Sequence, residues 1–250
     1  MRKLHLTYPI VQTLSGQLGW SHYVELLLVK NDTERSFYEQ QCINERWSVR
    51  ELKRQKETSL YHRLAASKSK EEILEMARTG RHIARPEDLL REPYVFEFLQ
   101  LPVNHGLKET ELEERLIDHL QSFMLELGRG FAFIGRQRRI TVGNEHHYVD
   151  LVFYHYILKC FVLIDLKVRK ASPGDVGKMN MYLNYFRNEE NQEDDNPPVG
   201  IVLATHRNEG VIQYALQGLD NQLLVSKYET FLPKKELLRA EIERVMVEEE

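Results

Sequence analysis

The chain has 250 residues, 42% hydrophobic and 29% charged, with 13 Gly, 8 Pro and a formal net charge of −4. This composition can bury one or two cores and excludes the disordered, collagen-like and disulfide-dense classes. No apolar run approaches the roughly 20 residues that span a bilayer, and Met1-Arg2-Lys3-Leu4-His5 lacks a signal peptide's apolar stretch, so the expected location is cytoplasmic.

From the start to about residue 104 apolar residues recur at helical spacing: Tyr23, Leu26 and Leu27, then Phe37, Tyr38 and Cys42, then Leu52, Leu60 and Leu64. Ser48 followed by Glu51 predicts a capping box at the start of the third segment. Asp88 is expected to open a further short helix that Pro93 interrupts. Cys42 and Cys160 are too far apart for a cysteine zinc site and read as small buried hydrophobes. Between Arg46 and Arg85 eleven Lys and Arg stand against five Glu, an excess of six positive charges. That stretch is either the wet face of ordinary helices or a footing for nucleic acid.

Leu101 to Lys108, with Pro102, Asn104 and Gly106, reads as a linker. An amphipathic helix is expected from about Glu111 to Leu127, ended by Gly128. Three strands should follow, Phe131–Val142, His146–His155 and Leu158–Val168, with Gly143-Asn144 turning between the first two. A helix from Pro173 to Phe186 has Ser172 as cap and Pro173 at its first position. Beyond the acidic run Glu189 to Asp195 come strands at Val199–Ala204 and Leu223–Tyr228, with a helix near Val211–Leu216 between them. A last helix is expected over Lys234–Met246. The order gives an all-α region over 1–104 and an α/β (α+β) domain over 105–250.

Three strands with short links should form an antiparallel meander. A turn around Ile157-Leu158 sets Asp150 opposite Asp165, with Tyr148, Asp150 and Val152 on one face and Leu163, Asp165 and Lys167 on the matching one. Directly opposed residues have Cβ atoms about 4.5–5.5 Å apart, where like charges repel. A hard divalent cation such as Mg²⁺ or Mn²⁺ between the carboxylates would offset that repulsion, with Lys167 as a second compensating charge. A plain Lys167 salt bridge, with the other aspartate near solvent, is the simpler account. Glu113 falls inside the apolar stripe of the preceding helix, with Leu116 and Ile117 three and four residues on, but Thr110 three residues earlier could instead make it the partner in a capping box. Arg136, Arg138 and Arg139 on the first strand could contact phosphate or merely blunt an exposed edge. Adjacent His146 and His147 point to opposite faces, so with His155 they predict no histidine metal site.

Asp150, fourteen intervening residues, then Asp165-Leu166-Lys167 resembles the core motif of the PD-(D/E)XK nuclease superfamily. The wider text includes Trp20-Ser21-His22-Tyr23-Val24-Glu25-Leu26-Leu27, Trp47-Ser48-Val49-Arg50-Glu51-Leu52, Gly130-Phe131-Ala132-Phe133-Ile134-Gly135-Arg136-Gln137 and Met179-Asn180-Met181-Tyr182-Leu183. Together these resemble the bacterial YhcG-like family of PD-(D/E)XK nucleases over nearly the whole chain. The resemblance implies a restriction-endonuclease-like core, a meander plus two further strands flanked by helices. It makes Glu113, Asp150, Asp165 and the Leu166 carbonyl ligands of Mg²⁺ or Mn²⁺, and Lys167 the residue that steers water and phosphate charge. It implies a DNA substrate, with a homodimer left open. Lys178 stands where such proteins commonly carry a Gln four residues before a Tyr, here Tyr182, and Asp165 replaces a more usual Glu. The family's helical segment upstream of Trp20 is expected to be missing. A nuclease fold that binds nucleic acid or protein without cutting, and an oligomerisation protein, are the alternative readings.

Overall fold

A computed structural model describes residues 18–65, 68–80, 83, 85–89, 93–101, 108–231, 238, 240 and 242. They group into two compact units, one within residues 1–82 and 233–250, the other within Ile83–Leu232. The helix expected over Lys234–Met246 and the linker over Leu101–Lys108 lie largely outside the described residues. No described helix is long and apolar enough to cross a membrane.

The first unit is helical: α1 (Trp20–Leu26), α2 (Asp32–Glu45), α3 (Val49–Glu57), α4 (Leu60–Ala65) and α5 (Lys70–Thr79). Their inward residues, among them Tyr23, Leu26, Phe37, Tyr38, Leu52, Leu60 and Ile73, form one core, and Cys42 is one of its buried hydrophobes. The Ser48–Glu51 capping box is present. The segment expected to run from Leu52 to Leu64 is split between α3 and α4 at Thr58-Ser59, where Ser59 takes a φ of 55°. Helix α5, not anticipated, begins with a second capping box, Ser69–Glu72. Part of the basic excess is consumed here: Arg63 is buried, and Lys53 and Lys56 both pair with Glu25, at 3.2 and 3.0 Å.

The second unit is a six-stranded sheet between two helical layers. Its strands are β1 (Tyr94–Val95), β2 (Phe131–Val142), β3 (Glu145–His155), β4 (Cys160–Lys170), β5 (Val199–His206) and β6 (Gln222–Glu229), in the order β1-β6-β5-β4-β3-β2. The meander β2-β3-β4 is antiparallel, while β5, β6 and β1 add in parallel. On one face α6 (Glu109–Asp118) and α7 (Leu120–Leu127) lay Leu112, Leu116, Phe123 and Leu127 against Leu151, Phe153, Ile164 and Leu166. On the other, α8 (Pro173–Tyr185) and α9 (Glu209–Leu216) lay Val176, Met179, Leu183 and Ile212 against Val152, Leu163, Val202 and Ala204.

Four expectations need correction. The single helix over 111–127 is divided at His119, whose ψ of 30° leaves the helical region and whose ring packs edge-on against Phe98. It begins at Glu109 after an N-cap Lys108 that makes no side-chain cap bond, so Thr110 is already helical and does not cap with Glu113. Asp88 does not open a helix but sits inside one 3-10 turn, Pro86–Leu89, where its carboxylate accepts the Arg85 amide. The strand β1 had no counterpart among the expected elements.

Two local arrangements hold the sheet's ends. Gly130 enters β2 at φ 105°, and an added Cβ would lie 2.3 Å from the ring of the fully buried His155. That ring accepts the Leu158 amide at Nδ1, so its Nε2 carries the proton donated to the Arg129 carbonyl. At the start of α8, Asp175 takes two hydrogen bonds from Arg169 and others from Ser172. Burial pushes its carboxyl up, but the Arg169 and Ser172 donors outweigh this and bring its pKa to about 2.

Gly130→Ala should destabilise the protein by about 2 kcal/mol or more, read from the urea midpoint, because strain and collision add. Asp175, its folded pKa lowered, contributes stability above about pH 4 that is lost as pH falls toward 2. Asp175→Asn should therefore cost about 1–2 kcal/mol at pH 7, with the gap to the parent closing across that acid window.

Candidate active site

The site is built where the meander opens. Ladder pairs between β3 and β4 run from His155↔Cys160 to Leu151↔Ile164, and one step further Asp150 comes opposite Asp165, the register expected from the turn. There the ladder gives way to the side chain: the Leu166 amide donates to Asp150 Oδ2 at 2.8 Å. The strict two-residue alternation does not survive. Val149 and Val152 are both buried on the α8 side and Leu151 on the α6 side, so Tyr148, Asp150 and Val152 do not share one face as expected; Tyr148 is left 47% exposed.

Asp165 is 1% exposed and is held by two ammonium groups. The Lys167 ammonium stands 2.6 Å from Oδ2 and the Lys178 ammonium 3.5 Å from Oδ1. Lys167 also donates to the Leu166 carbonyl at 3.0 Å and to Glu109 at 3.3 Å. Burial opposes the charge on each lysine, but the neighbouring carboxylates, Asp165 foremost, outweigh it and raise both pKa values. Asp150 has no ammonium in contact. Burial, then the charge of Asp165, raises its pKa to about 6 against the opposing Leu166 amide and the two lysines.

Helix α6 brings in Glu113, 5% exposed, whose Oε2 accepts a hydrogen bond from the Gln137 side chain. Burial raises its pKa, with Gln137 and Arg136 pulling the other way. Glu113, Asp150, Gln137, Lys178 and Tyr182 line a cleft of about 360 Å³, with His146, His147 and Tyr148 at its side. Lys178 and Tyr182 share one face of α8, the ammonium 5.3 Å from the ring centroid, and the Tyr182 hydroxyl donates to the Tyr148 carbonyl. Arg138 is not brought to the cleft but is bound by Glu190 at 3.1 Å. His155 lies in the core. A larger hollow, about 570 Å³ in the helical unit, is lined by Glu25, Glu34 and Glu57 against Lys30, Lys53 and Lys56, so its formal charges balance.

Gln137 was not singled out from the sequence. Arg136 pairs with Leu151 and Arg138 with Val149, which leaves Gln137 opposite Asp150. The Gly143-Asn144 turn carries that signal, since counting back from Val142 opposite Glu145 reaches the same pair.

Among the described residues no three His, Cys, Asp or Glu side chains are gathered closely enough to hold a metal ion as they stand. The donor set nonetheless fits a hard divalent cation. It is all oxygen, the Asp165 carboxylate is buried, and the Lys167 ammonium already contacts Asp165 and the Leu166 carbonyl as a positive charge between them.

An Asp from the second strand of a meander, Asp-x-Lys from the third and a Glu from the preceding helix define a restriction-endonuclease-like nuclease fold. Residues 87–243 match the YhcG PDDEXK nuclease domain, and residues 1–63 the DUF1016 N-terminal domain. The chain belongs to the YhcG family of PDDEXK nuclease-domain proteins. It is 44% identical over 238 residues to a protein of Escherichia coli (strain K12) named "Putative nuclease YhcG"; the match takes in 94% of this chain and 63% of that protein. Thus the chain spans less than two thirds of that relative's length. Among solved structures, a repair endonuclease from Pyrococcus abyssi has a TM-score of 0.37 at 22% identity, over 52% of this chain and 50% of its own. An EndoMS–dsDNA complex has a TM-score of 0.37 at 20% identity, over 54% and 50%.

A carboxylate with a raised folded pKa favours folding below its ordinary value and loses that contribution as pH rises through about 6. In EDTA, stability should fall between about pH 4 and pH 7, and Asp150→Asn should remove that slope and raise neutral-pH stability by about 1–3 kcal/mol. Urea titrations across that range check both.

Proposed function

We propose that the protein is a nuclease that hydrolyses phosphodiester bonds in DNA, using Mg²⁺ or Mn²⁺ held by Asp150, Asp165, Glu113 and the Leu166 carbonyl. The observation that carries this is Asp165: a buried carboxylate in the nuclease motif, opposed by a second carboxylate and balanced by the ammonium groups of Lys167 and Lys178. The chemistry supplied by the cation is polarisation of the scissile phosphate and acidification of the attacking water. Asp150, whose pKa burial and Asp165 raise to about 6, is held more firmly in its ionised form when positive charge is near.

Lys167 orients the water and steadies charge developing on the phosphate. Its contacts with Asp165 and Glu109 favour its protonated form and set it against Glu109, which lines the cleft. Lys178 and Arg136 supply further positive charge beside the cleft, where a phosphate backbone would pass. Lys178 donates only, so it recognises phosphate by charge rather than through the two-way bonding of a glutamine amide. Arg138, held by Glu190, serves the protein before it serves a substrate. The helical region gives the chain its grip on DNA or on a partner, through exposed cations such as Arg46, Arg50 and Arg78.

Purified protein should cleave linear, circular or branched DNA with Mg²⁺ or Mn²⁺ and not in EDTA. Asp150→Ala and Lys167→Ala should each lower the rate at least about a hundredfold while leaving DNA binding in place. Absence of cleavage on every substrate, with metal-insensitive binding retained, would instead favour a nuclease fold that only binds.

A further inference from the structure

Gln137 stands out on its backbone as well as its side chain. Among the described residues it is one of five non-glycine residues with positive φ, at 46°, and it lies in the middle of the twelve-residue strand β2. A glutamine has no intrinsic preference for left-handed backbone, and such outliers persist where the surroundings impose them. This one lies opposite Asp150, where the alternation of β3 also breaks. The consequence is that a side chain from the outer strand of the meander reaches across to a helix. The Gln137 Nε2 donates one hydrogen to Glu113 Oε2 and stands 3.4 Å from Asp150 Oδ1, so one neutral amide bridges two carboxylates from different elements.

We propose that Gln137 is a positioning residue that clamps Glu113 of α6 against Asp150 of β3 and so presets the carboxylate geometry for a divalent cation. This rests on the metal-dependent reading above. The amide nitrogen suits the task. It has two donors and no charge, so it draws the acids together without neutralising either, and it leaves Glu113 a second oxygen for a cation. An arginine there would hold the acids more tightly but would compete with the metal. A residue without a donor would leave two buried like charges free to separate.

The test is Mn²⁺ affinity of the full chain, measured by isothermal titration, for the parent, Gln137→Ala, Gln137→Gly and Asp150→Ala, with melting temperatures in EDTA alongside. Loss of an outer contact to a metal ligand commonly weakens binding about 10- to 100-fold. Both Gln137 variants should fall in that range, including the glycine variant, which suits the left-handed backbone and controls for strain. Their EDTA melting temperatures should stay near that of the parent. Unchanged Mn²⁺ affinity in both variants would overturn the clamp while leaving the metal site intact. So would parental affinity in Gln137→Gly alone, since the backbone and not the amide would then matter. A parent that binds Mn²⁺ no better than Asp150→Ala would overturn the metal-dependent reading itself, and the clamp with it.

Discussion

Asp150 and Asp165 face each other one residue beyond the last ladder pair of β3 and β4, and the arrangement of the second unit can be understood from the cost of putting them there. Two carboxylates in apolar strands repel and resist desolvation. Three of the elements around them supply a counterweight. Strand β4 brings the Leu166 amide and Lys167, helix α8 brings Lys178, and strand β2 brings Gln137. The surrounding sheet, buried on both faces, supplies the rigidity that keeps the charges from relaxing apart. Compensation is unequal. Asp165 has two ammonium neighbours, while Asp150 has one good amide donor and a raised pKa, so positive charge is still lacking between them.

Much of this was legible in the sequence because antiparallel pairing is set locally. The chain turns at Tyr156–Lys159, two runs of aromatic and β-branched residues flank it, and counting outward from the turn leads to the aspartate pair. The Ser48 capping box and the Ser172 cap are equally local, each made within four residues, though the reciprocal bond from Asp175 back to Ser172 was not anticipated. The same counting from Gly143-Asn144 finds Gln137, but nothing in a glutamine announces left-handed backbone, and the arginines on either side carry a more obvious chemistry.

What was not legible is what tertiary contact decides. The two residues of β1 have no periodicity, and they are a strand only because β6 offers a parallel edge and Glu126 from α7 accepts the Val95 amide. His119 interrupts an otherwise convincing helical stripe where it meets Phe98. Glu113 could have served its own helix. The helix starting at Glu109 took Thr110 out of the capping position and left the carboxylate to meet Gln137 across the fold. Charge counts also misled in part, since Arg63 and Lys56 serve the interior of the helical unit rather than its surface.

The central claim is that the charge missing between the aspartates is a divalent cation, for which the Lys167 ammonium now stands in. Anomalous diffraction from crystals grown with Mn²⁺ tests it most directly. The account predicts a peak bonded to both Asp150 and Asp165, with Lys167 moved off Asp165. Crystals in which no Mn²⁺ lies between these carboxylates and Lys167 still spans Asp165 and the Leu166 carbonyl would contradict it.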